Sequence, residues 1–243
     1  VTGRRGSPMS DTPRFTMPLL DAAQAQKHVT VNEALMRADL LAAGCVERRN
    51  YGIPPEQPRD GDVYIVANGA GGAWAGQDGA LALALNGGWE FVAPWEGAAF
   101  WVAAEGLRVT WRGGEWVEGW AAGAVGGAAT LGRVVTLDQP LAGGSVTTAP
   151  IIPDKAVVIG VTGRVLEEIT GAASWSLGVE GGEDRYGSGY GTGAGSFAHG
   201  VTGQPQAYYG ETALLLTASG GGFSGGIVRL AVHFMEILPP DLL

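Results

Sequence analysis

The sequence PLLDAAQAQKHVTVNEAL, residues 18–35, decides the fold because it contains the clearest helical pattern in the chain. Asp21 is a good N-cap for a first helix over residues 22–28, since its carboxylate can accept hydrogen bonds from free backbone N–H groups. Thr30 and Glu33 then have the spacing of a capping box, in which each side chain bonds a backbone donor at the start of the next helix. We therefore expect two short helices in succession near the N-terminus.

The second predicted helix covers residues 31–43 and ends at Gly44, a residue type that readily takes the left-handed conformation found after a helix. Its apolar residues recur at helical spacing, at positions Val31, Leu35, Ala38, Leu41 and Ala42. A stripe this short is not stable alone in water. The helix therefore packs either on the chain's own β domain or on the same helix of neighbouring subunits, and the sequence leaves both arrangements open.

The rest of the chain favours short β-strands joined by glycine turns. Its 42 Gly and 16% charged residues could indicate disorder, but eight Trp and a hydrophobic content of 46% argue against that. The predicted fold class is therefore mainly β. It comprises a short N-terminal helical segment, a small Trp-rich antiparallel β meander and a C-terminal β-sandwich or jelly roll.

Composition predicts five segments along the chain. Residues 1–17 are an extended or disordered N-terminus, and residues 18–52 are a helical segment for anchoring and oligomerisation. Residues 53–120 form the Trp-rich β domain, which holds seven of the eight tryptophans and two Gly-Gly hairpin turns. Residues 121–130, an Ala/Gly run without strand or helix period, are a linker. Residues 131–243 form the C-terminal β-sandwich.

The helical stretch, written PLLxAxQAQKxVTxNEAL, resembles the opening of an uncharacterised family found in prophages and in phage-like gene transfer agents of α-proteobacteria. The wording DRYGSG at residues 184–189 and GFSGGIVRL at residues 222–230 is similar to the last β domain of the same proteins. With the Trp-rich middle, the resemblance covers nearly the whole chain from about Thr12. It implies a virion protein, a tail fibre or head spike, that is made in the cytoplasm, released by lysis and held to other virion proteins through its N-terminal segment.

The formal net charge of −9, with only two lysines, excludes two classes of partner. An acidic surface repels nucleic acid phosphates and anionic lipid headgroups, so we expect neither nucleic acid binding nor membrane insertion. Neutral and zwitterionic glycans remain open, whereas acidic glycans would require a local cluster of arginines. Cys45 has no cysteine partner in the sequence, and no signal peptide or membrane span is recognisable, so we expect folding in a reducing cytoplasm.

The sequence offers no convincing catalytic centre. Residues 222–226, GFSGG, match the G-x-S-x-G motif of hydrolases, in which a serine sits on a tight turn from a strand into a helix. Here strand patterns flank the motif on both sides, so we expect a hairpin turn and no nucleophilic role for Ser224. Glu167 and Glu168 are adjacent on a predicted strand and point to opposite faces, which does not suit the paired acids of a glycosidase. We therefore expect no enzymatic activity.

The sequence likewise predicts no metal site and no cofactor. His28, His199 and His233 do not have the spacing of metal ligands, and the one cysteine offers no second thiolate. Asp184 with neighbouring loop carbonyls leaves calcium as an alternative, although the alternating oxygen ligands of an EF-hand loop are missing.

Candidate glycan-binding residues in the Trp-rich domain are Trp89 and Trp116. Both stand beside glycine turns, where an exposed indole can stack on the C–H face of a sugar ring. The alternative is that these rings fill the core of a small domain.

A second set of candidates lies at the long Gly/Ser/Tyr loop of residues 183–203: Asp184, Arg185, Tyr186, Tyr190, Tyr208 and Tyr209. Loops on a rigid β scaffold concentrate recognition residues, and charged side chains can bind sugar hydroxyls. The alternatives are that the tyrosines pack beneath the loop and that Asp184 and Arg185 pair with each other. We place the binding surface at this loop, because an N-terminal anchor leaves the far end of the chain free to meet the cell.

The predicted function is a non-enzymatic virion adhesin that forms a homotrimer and binds host cell-surface polysaccharide. Several identical heads on one particle raise the effective concentration at the cell surface, which makes weak single sites useful. Two alternatives stay open: a capsule-degrading glycan hydrolase or lyase, and a purely structural virion component.

Overall fold

The computed structural model of the chain describes residues 11–20 and 27–242. Within these residues the fold is mainly β, as the sequence predicts, with a single α-helix, α1 (Lys27–Ala42), ahead of sixteen strands and a short 3-10 helix (Gly72–Trp74) between the third and fourth strands. The chain divides into two compact units, residues 1–118 and 119–243. No helix in the described ranges combines the length and the apolar character needed to cross a membrane.

The N-terminal unit contains two four-stranded sheets. Its strands in the described residues are β1 (Cys45–Val46), β2 (Arg48–Tyr51), β3 (Val63–Val66), β4 (Leu81–Leu85), β5 (Gly88–Val92), β6 (Ala99–Val102), β7 (Leu107–Arg112) and β8 (Glu115–Glu118). One sheet has the order β1-β6-β7-β8 and the other the order β2-β3-β4-β5. Neighbouring strands are antiparallel except for β1 with β6 and β2 with β3. The predicted antiparallel meander is thus divided between two sheets, each extended by a parallel edge strand that follows the helix.

Helix α1 packs on the β-sheets of its own unit, which is one of the two arrangements that the sequence leaves open. Met36 and Leu40 belong to one buried apolar cluster with residues of both sheets, such as Leu83 and Phe100. The predicted apolar stripe does not mark this face, because Val31 is 41% exposed. The segments predicted separately as helical anchor and Trp-rich domain therefore share a hydrophobic core.

Helix α1 is continuous from Lys27 to Ala42, so the predicted helix start at Thr30 is wrong. A capping box needs a non-helical residue at its first position, and here the backbone is already helical. Residues 22–26 of the first predicted helix lie outside the described residues. The end of the helix is as predicted: Gly44 has a φ of +60°, and its N–H donates to the carbonyl of Leu41 at 3.3 Å.

Residues 11–20, mostly predicted as part of an extended or disordered terminus, are held against α1 by Asp39. Its carboxylate is buried and accepts three hydrogen bonds: from Thr12 Oγ1 at 2.8 Å, from Arg14 N at 2.8 Å and from Phe15 N at 2.7 Å. A buried charge without partners is costly, so such groups are paired or hydrogen-bonded. These bonds explain why an acidic residue occupies the face of the helix that packs inward.

The C-terminal unit is a β-sandwich, as the sequence predicts. Its described strands are β9 (Trp120–Gly123), β10 (Ala129–Pro140), β11 (Ser145–Ile152), β12 (Val157–Thr170), β13 (Ser174–Gly178), β14 (Phe197–Ala207), β15 (Thr212–Ser219) and β16 (Gly225–Leu238). One sheet has five strands in the order β14-β12-β16-β10-β9, and the other has three in the order β11-β15-β13. One buried cluster contains apolar residues of both sheets, among them Trp175, Leu214, Leu230 and Phe234.

Two connecting segments of this unit differ from the prediction. Most of the predicted linker, residues 121–130, belongs to the hairpin of β9 and β10, in which Ala129 pairs with Gly123. An Ala/Gly run shows no side-chain period, yet its backbone donors and acceptors pair as well as those of any strand. The predicted loop of residues 183–203 ends where β14 begins, at Phe197.

Candidate functional site

Three of the tyrosines predicted to face a glycan pack inside the C-terminal unit. Tyr186 and Tyr208 are buried, and their hydroxyl oxygens are 2.6 Å apart. Burial, together with this hydrogen bond, raises the pKa of Tyr186. Tyr190 is half-buried; its ring centroid lies 5.0 Å from that of Trp175, and its hydroxyl donates to the carbonyl of Tyr186. The tyrosines therefore pack beneath the loop, and Tyr186 and Tyr208 cannot contact a sugar from solvent.

The other loop candidates are exposed but do not form a cluster. Arg185 donates from Nη1 to Gln206 Oε1 at 3.2 Å, a different partner from Asp184, with which the alternative reading of the sequence pairs it. Tyr209 is 90% exposed and follows the end of β14, beside the inward-facing Tyr208. Within the described residues, the exposed candidates therefore do not form one surface that combines a tyrosine ring with the charges of Asp184 and Arg185.

Trp89 packs into an aromatic cluster of the N-terminal unit. Its ring lies edge-on to Trp74, with 5.0 Å between ring centroids, and edge-on to Tyr64 at 5.8 Å. Burial raises the pKa of the Tyr64 hydroxyl to about 12, with a further contribution from the charge of Asp62. Trp74 is buried and Trp89 is half-buried, so edge-to-face contacts of this kind stabilise the sheet around them. Trp89 therefore packs in the core of its unit, which is the alternative that the sequence leaves open.

Trp116, the other predicted tryptophan, lines a groove of about 180 Å³ in the N-terminal unit, hereafter the tryptophan groove. The side chains that give this groove its chemistry are Arg49, Asn50, Asn68, Trp111, Glu115 and Trp116. Strand β2 and the residues after β3 supply one part of its lining, and the β7–β8 hairpin supplies the two indoles. Its volume is below the range of drug-sized sites and has room for a single sugar ring.

The sequence of the β7–β8 hairpin explains why two indoles meet at this groove. Gly113 and Gly114 form the turn with φ values of +59° and +90°, which glycine adopts without strain. The turn sets Trp111 opposite Trp116, and their ring centroids lie 5.3 Å apart at an interplanar angle of 65°. Trp116 also donates from Nε1 to the carbonyl of Gly79 at 2.8 Å, which ties the hairpin to the turn ahead of β4.

Gly79 is a position where only glycine fits. Its φ is +72°, and a Cβ built on it would lie 2.9 Å from a ring carbon of Trp111. Left-handed backbone and close approach to a ring both favour a residue without a side chain. The shape of the tryptophan groove therefore depends on this glycine.

Arg49 lines the groove, and its positive charge is neutralised by neighbouring carboxylates. Its guanidinium lies 2.7 Å from Glu105 and 2.5 Å from Glu118. Burial acts against its charged form, but the hydrogen bonds and charges of the two carboxylates outweigh burial, so the pKa of Arg49 is raised. Because two carboxylates already surround it, Arg49 fixes the shape of the groove rather than attracting an anion.

Asn50 takes an uncommon backbone conformation at the edge of the groove. Its φ is +65°, and it lies where the register of β2 with β3 shifts between Arg48 and Tyr51. Asparagine is one of the few non-glycine residues that adopt such a φ readily, so the residue type suits this position. Asn50, Asn68 and Glu115 are exposed, so their amide and carboxylate groups can bond to a ligand.

The tryptophan groove sets two indole faces beside exposed amide and carboxylate groups. An indole presents a broad apolar face to the C–H groups of a sugar ring, while amides and carboxylates bond its hydroxyl groups. Trp111 is not among the residues predicted from the sequence, although its place opposite Trp116 in a Gly-Gly hairpin is a usable signal. Asn50 carried no such signal, because its conformation depends on the pairing of β2 with β3.

One protein family matches part of the chain. Residues 31–117 match the family described as a protein of unknown function, DUF2793. The match contains every residue that lines the tryptophan groove. No curated protein matches the chain.

Two solved structures are similar to about half of the chain. A chain of the cyanophage Pam1 capsid asymmetric unit is 26% identical, with 49% of this chain and 91% of that chain covered and a TM-score of 0.32. A chain of Bacillus endospore appendages, described as a novel family of disulfide-linked pili, is 12% identical, with coverages of 47% and 95% and a TM-score of 0.21. Both TM-scores are too low to show a shared fold. The comparisons do not address a fibre or spike position, trimerisation or carbohydrate binding.

Proposed function

We propose that this chain is a non-enzymatic component of a phage-like particle and that it binds carbohydrate through the tryptophan groove. One observation carries the proposal: the paired indoles of Trp111 and Trp116 line the same groove as three exposed polar side chains, those of Asn50, Asn68 and Glu115. Apolar faces beside hydrogen-bonding groups match the two kinds of surface that a sugar ring presents.

The proposed site lies in the N-terminal unit, whereas the sequence places it at residues 183–203. The change follows from the burial of Tyr186 and Tyr208 and the partial burial of Tyr190, which leaves none of the predicted tyrosines of that loop as an exposed binding face. Of the two predicted tryptophans, Trp116 remains a binding candidate, whereas Trp89 belongs to the core.

The virion assignment rests on the resemblance of residues 18–35 to proteins of prophages and gene transfer agents. In the structure, part of this motif builds the N-terminal unit itself. Asn32 accepts a hydrogen bond from Leu20 N at 2.8 Å and donates one to Leu20 O at 3.0 Å, so its side chain pairs with the backbone as a neighbouring strand would. Within a phage-like particle we assign the chain to a tail fibre or head spike that attaches to host surface polysaccharide.

A homotrimer belongs to the same proposal. Val31 is 41% exposed on α1, and a subunit contact in the trimer would cover it. Symmetric assembly multiplies a weak sugar site into useful avidity. Light scattering that gives a monomer mass at micromolar concentration would contradict the trimer.

A hydrolytic role for Ser224 has little geometric support. Its hydroxyl lies 2.9 Å from Thr170 Oγ1, and strand β16 starts at the next residue, Gly225. A serine nucleophile needs a base within hydrogen-bond reach and is commonly presented on a turn from a strand into a helix. We therefore keep the absence of catalysis in the proposal, and the experiment below also measures release of reducing ends from the polysaccharide.

The test compares binding of the full chain and two matched double variants to purified host capsular polysaccharide by calorimetry. Asn68→Ala with Glu115→Ala removes one amide and one carboxylate from the groove, at exposed positions that do not support the core. Loss of two hydrogen bonds of about 1 kcal/mol each predicts an affinity about tenfold or more weaker. Glu56→Ala with Gln57→Ala removes the same two group types at exposed positions outside the groove and is expected to bind as the wild type does.

Each result has one interpretation. Equal affinities of the two double variants would contradict the tryptophan groove as the site. Absence of binding by the oligomer to any sugar on a glycan array would favour a purely structural component. Release of reducing ends from the capsule would identify a degrading enzyme.

A further inference from the structure

The outer face of the five-stranded sheet carries a second groove, of about 330 Å³, hereafter the sheet groove. Side chains that border it are Thr136, Thr162, Arg164, Phe197, His199 and Arg229. It lies in the C-terminal unit and shares no residue with the tryptophan groove. What it binds is therefore a separate question from the function proposed above.

Strand register places an aromatic ring and three charged groups in one row. Arg164 on β12 pairs with Phe197 on β14 and with Arg229 on β16, and Arg229 pairs with Asp138 on β10. Side chains of directly paired residues lie on the same face of a sheet. The row therefore crosses four neighbouring strands at the groove.

The two guanidinium groups of this row have different partners. Arg229 makes a bidentate pair with Asp138, with N–O distances of 2.6 Å and 2.7 Å, which neutralises its charge. Arg164 donates from Nη1 to the carbonyl of Gly195 at 2.7 Å, and its Cζ lies 5.5 Å from the ring centroid of Phe197. None of the carboxylates in the described residues is paired with Arg164. The groove thus holds an uncompensated positive charge in a chain whose net charge is −9.

We propose that the sheet groove binds a carboxylate-bearing sugar, with Arg164 as the ligand of the carboxylate. A guanidinium carries five N–H donors in a planar fork that matches a carboxylate. The bond to Gly195 uses one donor, and this bond together with the contact to the Phe197 ring holds the guanidinium in place, so less side-chain freedom is lost on binding.

The rest of the groove suits the sugar ring. Phe197 is 62% exposed and offers an apolar face, while Thr136, Thr162 and His199 offer hydrogen-bonding groups. An acidic glycan needs local positive charge on this acidic chain, and Arg164, beside the neutralised pair of Arg229 and Asp138, provides it.

The experiment titrates the full chain with trigalacturonic acid and, separately, with its methyl ester, which keeps the shape and removes the charge. We expect the acid to bind and the ester to bind at least about tenfold more weakly, as for loss of a charge-assisted hydrogen bond. Arg164→Gln is expected to lose about tenfold in affinity for the acid. Arg185→Gln removes the same charge from an exposed position outside the groove and is expected to leave affinity unchanged.

Two more variants refine the assignment. Asp138→Asn removes the partner of Arg229 and is expected to strengthen binding of the acid, since a second guanidinium is then free to bond it. Arg164→Lys keeps the charge without the planar fork and is expected to fall between wild type and Arg164→Gln; it also serves if the glutamine variant fails to fold. Equal binding of acid and ester, or equal affinities of Arg164→Gln and Arg185→Gln, would overturn the proposal. A tetraglutamate peptide that binds as tightly as the acid would overturn the assignment to a sugar.

Discussion

Asp39→Asn is expected to release residues 11–20 from helix α1 while the rest of the N-terminal unit stays folded. In the wild-type chain Oδ1 accepts from Thr12 Oγ1 and Phe15 N, and Oδ2 accepts from Arg14 N, at 2.7 to 2.8 Å. Asparagine offers one acceptor oxygen and one NH2 group in the same positions. At least one of the three donors then faces another donor.

The magnitude follows from the burial of the site. Asp39 and Thr12 are 0% and 2% exposed, so water does not replace a lost bond while the segment stays docked. Loss of a hydrogen bond to a charged group costs about 1.5–3 kcal/mol, and a buried donor left unsatisfied costs about 1–3 kcal/mol. We expect docking to weaken by about 2–4 kcal/mol. Since 1.4 kcal/mol corresponds to a factor of ten, local opening becomes about 30-fold more frequent at the lower value.

Hydrogen exchange measured by mass spectrometry on the peptide that spans residues 11–20 tests this expectation. Asp11→Asn is the control, because it removes the same charge from an exposed side chain of the same segment. Exchange in Asp39→Asn within about twofold of wild type would refute the role of the buried carboxylate. Equal acceleration in every peptide of the N-terminal unit would refute local docking, because the whole unit would then open together.

Three further substitutions test the packing around the candidate sites. Gly79→Ala is expected to destabilise the N-terminal unit by about 2–4 kcal/mol, because strain at positive φ adds to a contact of 2.9 Å with an indole carbon. Gly76→Ala has a similar φ and no neighbour within 4 Å, so equal free energies of unfolding for the two variants would contradict the clash. Tyr208→Phe removes the 2.6 Å partner of the buried Tyr186 hydroxyl and is expected to cost about 1–3 kcal/mol in urea unfolding; an unchanged midpoint would contradict a buried pair. Ser224→Ala is expected to leave stability and carbohydrate binding within error, and loss of a hydrolytic activity in this variant would show that the serine is catalytic.

The parts of the fold that were predictable are those set by local chemistry. The end of helix α1 follows from Gly44, which has the positive φ that its sequence position implies. The turn at Gly113 and Gly114 follows from the same property of glycine. Alternating apolar residues likewise indicate strands such as β16, because side chains point to opposite faces with a period of two.

Local chemistry did not predict that helix α1 continues through Thr30. It also did not predict that the buried face of the helix contains Asp39. The capping pattern and the apolar stripe describe a helix that stands alone, whereas residues 11–20 bring hydrogen-bond donors to Asp39. A polar residue can then be buried, and the apolar Val31 can be left outside.

The sequence by itself determined the class of fold, the helix end and the β7–β8 turn, because backbone conformation and side-chain period depend on residues a few positions apart. The other predicted Gly-Gly turn is shifted by one residue, to Asn86 and Gly87, since Gly88 already pairs with Leu85. Only the tertiary structure decided which aromatic rings are buried, that Trp116 lies at a groove while Trp89 packs against Trp74, and that Arg164 meets Phe197 and Arg229. These outcomes depend on contacts between strands that are distant in the chain. A tyrosine beside a glycine loop has the same local pattern whether it faces solvent or core, and the free energy of burying its ring depends on whether a distant strand supplies the other wall.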